Sequence, residues 1–288
     1  MPWFQRSRPA DYADPSAEAA PKKKESLPRF LITLALLAWL LRSFVAAPFN
    51  IPSGSMLPTL RIGDYLLVAK WPYGYSKFSF PWQFPGFDGR ILSRLPERGD
   101  VVVFRPPGAD SEFIKRVIGL PGDTIEVRGG TLAINGRSLP RESRGRFAMP
   151  ISANSPCRVV PPAEPMVRQD LDSGDADCLY PAYRETLPGG RSYIVLDQVE
   201  NPVADNFGPV RVPDGHVFMM GDNRDDSLDS RFDPAAGGIG FVPVDNLVGR
   251  AMITFWSTDG TSSYVKPWTW FSALRGDRIG TTFGRDVP

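Results

Sequence analysis

Three short segments carry side chains able to do chemistry. The first is Ile51-Pro52-Ser53-Gly54-Ser55-Met56-Leu57-Pro58-Thr59-Leu60. Small residues between prolines make a rigid, exposed turn, where a serine hydroxyl is accessible and neighbouring N–H and O–H groups can face an oxyanion. Ser-Gly-Ser is also common in ordinary loops, so both readings stand on this segment alone. The second is Phe113-Ile114-Lys115-Arg116-Val117-Ile118-Gly119-Leu120-Pro121-Gly122-Asp123. On a strand, Lys115 shares a face with Phe113 and Val117. Apolar neighbours strip water from its ammonium form and lower its pKa, and such a lysine can act as a general base. A lysine guarding the edge of a sheet is the ordinary alternative. The third is Gly221-Asp222-Asn223-Arg224-Asp225-Asp226-Ser227-Leu228-Asp229-Ser230-Arg231. Asp225, Ser227 and Asp229 alternate like a calcium loop, but the sixth position is Ser230 instead of Gly and the twelfth is Ala236 instead of Glu. Two arginines among these acids point to an ion-paired scaffold.

Composition narrows the chemistry. The chain has 288 residues, with 33 Lys plus Arg against 32 Asp plus Glu, one histidine and two cysteines. A net charge of +1 offers no global attraction to nucleic acid. A zinc site needs three or four His or Cys ligands, so one histidine and two cysteines essentially exclude one, while an all-oxygen metal site stays open. A histidine-based hydrolase would have to use His216, which reads as a turn or strand-start residue in Pro213-Asp214-Gly215-His216. Cys157 and Cys178 lie 21 residues apart. In an oxidising compartment they read as a disulfide, with two free buried thiols as the alternative.

The elements that must position these residues are mainly β. Gly (27) and Pro (30) favour short strands and turns over a helical bundle. Strand signals are Tyr65–Ala69, Val101–Phe104, Phe113–Ile118, Thr124–Val127, Leu132–Ile134, Tyr193–Leu196, Val217–Met220 and Ala251–Phe255, punctuated by Gly, Pro, Asn and Asp. Residues 140–190, rich in Pro, Ser, Arg and Asp, read as a loop-rich insertion.

Ahead of the strands runs FLITLALLAWLLRSFVAAPF, Phe30 to Phe49, with one charge, Arg42. About 20 such residues span a hydrocarbon core of about 30 Å. Arg42 can snorkel to the far interface, and Pro48 stops the helix. A buried core helix and a cleaved signal peptide are the competing readings. The 29-residue leader and Pro48 speak against cleavage. Arg6, Arg8, Lys22, Lys23, Lys24 and Arg29 precede the span, which keeps the N-terminus in the cytoplasm and puts residues 50–288 outside. The stretch 71–87 carries eight aromatics in seventeen residues and one charge, Lys77. Pro72, Pro81 and Pro85 break any continuous ladder. Trp71, Phe80, Trp82 and Phe84 are therefore expected at the membrane interface, with a buried core strand as the alternative; Lys266–Phe271 extends the patch.

The motifs arrive in a recognisable order: PSGSMLPTLRIGDYLLV at 52–68, RGDVVVF at 98–104, FIKRVIGLPGD at 113–123, GDNRDDSLDSR at 221–231 and GFVP at 240–243. From about Ser43 to Trp256 the chain closely resembles bacterial type I signal peptidase, the membrane-anchored serine protease that removes signal peptides. The resemblance implies a Ser/Lys pair, with Ser55 as nucleophile and Lys115 as general base. Ser53 would help the Ser55 N–H hold the oxyanion, and Ser227 would hydrogen-bond and orient the lysine. Asp222, Arg224, Asp229 and Arg231 match scaffold positions. The implied fold is a β core, about 49–123 plus 213–288, interrupted by a smaller β domain at 124–212. The implied substrate is an exported preprotein with small residues at the third and first positions before the cut, and no metal or organic cofactor takes part. The expected setting is the bacterial inner membrane, crossed once, with the catalytic part periplasmic and near the secretion machinery; nucleic acid is not an expected partner. Three features depart from the family pattern. One span is visible where many members carry two, Asp233–Gly238 lengthens a loop before GFVP, and 140–212 is individual. The rival readings are a peptidase dedicated to a conjugation or pilus protein, and an inactive membrane-anchored binding module.

Overall fold

The computed structural model describes residues 26–170, 174–263 and 265–283. Arg6, Arg8 and Lys22–Lys24, on which the expected orientation rests, lie outside them. The first element is a helix, Leu27–Leu40, continued by a wider turn over Leu41–Val45. Among the described residues it is the one helix long and apolar enough to cross a membrane. Its 19 residues reach about 28 Å. It ends earlier than the expected Phe49. Ala46 is already extended, and Ala46–Asn50 forms a strand on Tyr65–Ala69. The residue before Pro48 is steered out of the helical region, and the sheet offers Ala46–Asn50 the partners that a longer helix would have supplied internally.

That strand is the first of a seven-stranded antiparallel sheet. Its order is Ala46–Asn50, Asp64–Ala69, Leu247–Ser257, Val101–Phe104, Phe113–Gly119, His216–Met220, Val242–Pro243. Both faces are covered. Val101 and Val103 pack with Leu66, Val68 and Ile114 on one side, while Val102 and Phe104 pack with Val117, Val217 and Met219 on the other. This explains why Val101–Phe104 is a continuous apolar run and not an alternating one.

Residues 124–211 build two further sheets. One orders Phe207–Arg211, Thr124–Arg128, Thr131–Ile134 and Arg137–Ser138; the other sets Ala176–Thr186 between Arg141–Pro150 on one side and Val167–Gln169 and Ser192–Leu196 on the other. Ile118, Phe218 and Met220 of the main sheet meet Ile125, Leu132, Tyr193 and Val195 in one core. Cys157 and Cys178 are joined by a disulfide, with their Cα atoms 5.1 Å apart. Cys178 packs with Met149, Tyr180 and, from the serine turn, Leu57.

The aromatic stretch 71–87 is a chain of short 3₁₀ turns, Trp71–Tyr73, Lys77–Ser79 and Pro81–Gln83. Trp71, Trp82 and Phe84 are 50%, 89% and 69% exposed. Phe80 departs from the expected membrane contact, being only 7% exposed. It stacks on Trp39 and meets Phe44 and Phe87 edge-on. The extended Phe80 at the junction of two turns turns its ring inward, while the following turn throws Trp82 outward.

Candidate active site

The serine turn is held from both ends. Ile51 N–H donates to Asp64 O, Gly63 N–H donates back to Ile51 O, and Leu60 N–H donates to Met56 O. Met56, Leu57 and Leu60 are buried, so burial of the apolar residues after the serines pins the backbone that carries them. The expected exposed turn is only half realised. Ser53 is exposed, but Ser55 is 8% exposed. The two hydroxyls lie 3.5 Å apart.

Lys115 comes from the fifth strand of the sheet, opposite Val102. The edge-lysine reading therefore fails. Phe113 and Val117 flank it in the core that holds Val102 and Phe104. The strand His216–Met220 stops pairing at Met220 opposite Arg116, one residue short of Lys115. Beyond that end the chain holds the serine turn instead: Asn223 N–H donates to Ser55 O at 3.1 Å, and Asn223 Nδ2 donates to Gly54 O at 3.2 Å. Lys115 Nζ thereby reaches Ser55 Oγ at 2.7 Å and Ile114 O at 3.1 Å. The lysine is 5% exposed. Burial pulls its pKa down to about 8, against the opposing pull of Asp229, Asp222 and Asp226.

Around this pair lies a buried ionic scaffold. Asp222 takes a fork from Arg116, Nε at 2.8 Å and Nη2 at 2.6 Å, and a hydrogen bond from Thr59 Oγ1 at 2.5 Å. The Arg116 guanidinium lies 4.3 Å from the Tyr193 ring centroid. Tyr193 donates to Glu185, which also receives Arg224 through both its terminal nitrogens. Asp229 accepts from Arg231 and from Gly221 N–H. Burial pushes the Asp229 carboxyl up, but Arg231 and the N–H donors outweigh it and hold the group below its usual value. These bonds tie the serine turn, the lysine strand, the loop 221–231 and strand residues 185 and 193 into one network.

Ser227 differs from expectation. Its hydroxyl is buried and has no hydrogen-bond partner, so the bond to Lys115 that the resemblance implied is absent from this structure. Ser227 instead packs where Gly221 leaves room. A Cβ at Gly221 would collide with the Ser227 side chain and with the Ser55 carbonyl oxygen, which is why glycine stands there. His216 Nδ1 lies 2.9 Å from Asp214 O at the start of its strand. Among the described residues one carboxylate group, Asp197, Asp205 and Asp225, brings its oxygens within 4.8 Å of one another. Arg141 binds Asp197, Asn201 N–H binds Asp205, and Gln198 and Val199 N–H bind Asp225. These donors occupy one oxygen of Asp225, while its Oδ1 is buried with no hydrogen-bond partner.

The family model for signal peptidase, peptidase S26, matches residues 24–256. Signal peptidase I of Rickettsia typhi is 35% identical over 87% of this chain and 89% of its own length. That of Rickettsia prowazekii is 34% identical, over 87% and 89%. A solved signal peptidase I from Enterococcus faecalis is 27% identical over 55% of this chain and 97% of its own, with a TM-score of 0.27. The chain belongs to the signal peptidase S26 family.

Within this S26 chain, sequence reasoning missed four residues of the network. Thr59 and Arg116 sit inside quoted motifs but read as spacers. Arg116 had one usable signal, an arginine on the opposite face of a strand from the lysine. Glu185 and Tyr193 lie in the individual stretch; Tyr193 opens a strand signal, Tyr193–Leu196, but neither residue carried a signal for the network.

Proposed function

We propose that this chain is a membrane-anchored serine endopeptidase that removes N-terminal signal peptides from exported preproteins, cutting after small residues. The observation that carries the reading is the 2.7 Å contact between Lys115 Nζ and Ser55 Oγ at a lysine held near pKa 8 by burial. An ordinary lysine, pKa about 10.4, is almost fully charged at neutral pH and cannot accept a proton. Here the neutral amine is accessible at mild pH. It takes the Ser55 proton as Oγ attacks the scissile carbonyl. The oxyanion faces the Ser55 N–H and the Ser53 hydroxyl. The Lys115 ammonium then protonates the leaving amine, and the same amine activates the water that releases the acyl group.

The helix Leu27–Val45 is the anchor, with the N-terminus cytoplasmic and the sheets on the periplasmic side of the bacterial inner membrane, close to the secretion machinery. The same reading keeps a core of about 49–123 plus 213–288 with a smaller β domain inserted at 124–212. It is supported by the main sheet, which draws strands only from 46–119 and 216–257, and by the two four-stranded sheets, which draw theirs from 124–211. Neither a peptidase dedicated to a conjugation or pilus protein nor an inactive binding module has an observation in its favour. The test is cleavage of a model preprotein in detergent by wild type and Ser55→Ala, with the new N-terminus read by mass spectrometry. Wild type should cut after the small residues and Ser55→Ala should be inert; uncut preprotein with wild type would reject the proposal.

A further inference from the structure

A second buried lysine has no part in the site above. Lys70 directly follows the strand Asp64–Ala69, and its backbone N–H donates to Val45 O at 3.0 Å. Its side chain is 5% exposed and lies on a cavity wall, and among the described residues its ammonium makes no hydrogen bond or ion pair. It lines a cavity of about 50 Å³ together with Arg42, Glu112, Phe49, Phe78 and Phe80. One water needs about 10–15 Å³ measured this way, so the cavity admits a compact polar group.

The charge balance points to the ligand. Lys70 and Arg42 are cations, and Glu112 is the one acid in the lining. Neither cation has an ion-pair partner among the described residues. Burial brings Lys70 down to about 8; Glu112 pulls it back up, while Arg42 and Arg90 press it further down. Arg90 itself is engaged by backbone carbonyls of Gly74 and Asp245. At neutral pH Lys70 is thus mostly charged, with Glu112 the one acid acting on it, and a further anion in the cavity would offset the cost of its burial. Two cations and one acid leave a single positive charge, which one phosphodiester neutralises. Apart from Ser79 the remaining walls are aromatic and aliphatic, and Arg42 sits in the last turn of a helix of membrane-spanning length. An anion presented there by an amphiphile meets the cations with its head and the rings with its apolar part.

We infer that this cavity binds the phosphate of an anionic phospholipid, with Lys70 and Arg42 as its cationic contacts and Phe49 and Phe80 against the adjoining apolar part. A zwitterionic lipid would bring a second ammonium toward Arg42 and should bind less well. The inference rests on the reading of the helix as an anchor but is separate from peptide cleavage.

The experiment titrates the full-length protein in detergent with dioctanoyl phosphatidylglycerol, dioctanoyl phosphatidylcholine and inorganic phosphate, read by native mass spectrometry and thermal shift. Phosphatidylglycerol should bind about tenfold tighter than phosphatidylcholine. Lys70→Met and Arg42→Gln should each weaken phosphatidylglycerol about tenfold and leave phosphatidylcholine unchanged. Glu112→Gln should tighten it, a gain that a merely structural Lys70 would not produce. Inorganic phosphate at equal concentration should fail to displace the lipid. Equal binding of the two lipids, or unaltered binding by Lys70→Met, overturns the inference. Displacement by inorganic phosphate overturns the lipid assignment and leaves a simple anion site. Cleavage of a short soluble peptide by Lys70→Met at the wild-type rate shows that the variant is folded. Wild type that binds phosphatidylglycerol selectively but cuts no peptide would reject the peptidase reading and sustain this one.

Discussion

At neutral pH the folded chain must either keep Lys115 uncharged or bury its ammonium group. Its folded pKa of about 8 lies below the value of an unfolded lysine, so between those two values the unfolded chain binds more protons. Stability therefore rises with pH across that window, and below pH 8 the full penalty is present. Lys115→Met removes the penalty. The variant should be more stable than wild type at pH 6–7, by an upper limit of about 3 kcal/mol, less about 1 kcal/mol for the lost hydrogen bond to Ser55. The advantage should fade as pH rises from 8 toward 10.5. Thermal denaturation across pH checks this; a wild type more stable than the variant at pH 6 would contradict it. The kinetic counterpart is that wild-type kcat/KM rises with pH through about 8. Ser55→Ala, Lys115→Met and the double variant should all lose roughly the same several orders of magnitude, because the two groups act as one unit. His216→Ala, at a side chain whose ring nitrogen meets Asp214 O in its own turn, should keep most activity. A double variant much worse than either single one would separate the two roles.

Elements enter through what joins them. The lysine strand carries two opposed functions on its two faces, Lys115 toward Ser55 and Arg116 toward Asp222 and Tyr193. Arg116→Met would leave Asp222 buried with only Thr59 as a side-chain donor. Breaking a buried pair from one side costs about 3–5 kcal/mol, which urea denaturation should register as a lower midpoint with the slope kept. An unaltered midpoint would mean that the pair is dispensable. The disulfide acts on a different part. It closes a loop with a sequence separation of 21, worth about 3 kcal/mol in the chain-entropy model. Replacing Cys157 and Cys178 with alanine should lower stability by roughly that amount while kcat changes little, because neither cysteine touches Ser55 or Lys115. Arg158, next to Cys157, pairs with Asp226 of the loop 221–231 at 3.0 Å. That pair is largely exposed on the arginine side and its contribution is small.

On the scale of the whole molecule the question is how the β-sheet part would meet a bilayer on the proposed topology. Trp71, Trp82 and Phe84 are large rings left in the open, as are Trp268 and Phe271. Such groups favour the headgroup level of a membrane. Serine at 71, 82 and 84 together should slow turnover of a membrane-embedded preprotein by the full-length enzyme in vesicles, and spare a short soluble peptide. Equal loss on both substrates would mean that the rings support the fold. Phe80 makes the opposite prediction. It is enclosed by Trp39, Phe44, Tyr75 and Phe87, so Phe80→Ala should destabilise by about 3–5 kcal/mol whether or not a membrane is present.

Whatever depends on near neighbours in the chain was legible before any fold was known. An apolar run with one charge reads as a span because helix length is a local property. Val101–Phe104 and Tyr65–Ala69 read as strands because branched and aromatic residues cluster between turn formers. The motifs around Ser55, Lys115 and Asp222 were visible as segments. Their meeting was not. Ser55 and Lys115 are 60 residues apart, and what brings them together is strand register: the neighbouring strand ends at Met220, and the serine turn is bonded just beyond it. Glu185 and Tyr193 complete the network from a stretch whose local pattern gives at most a strand, since a buried carboxylate is recognised only by the guanidinium that faces it. The helix end moved from Phe49 to Val45 because Ala46–Asn50 found partners in the sheet. Phe80 and Trp82, two residues apart in one aromatic run, went opposite ways because burial depends on backbone direction at a turn, which the packing of the surrounding rings decides.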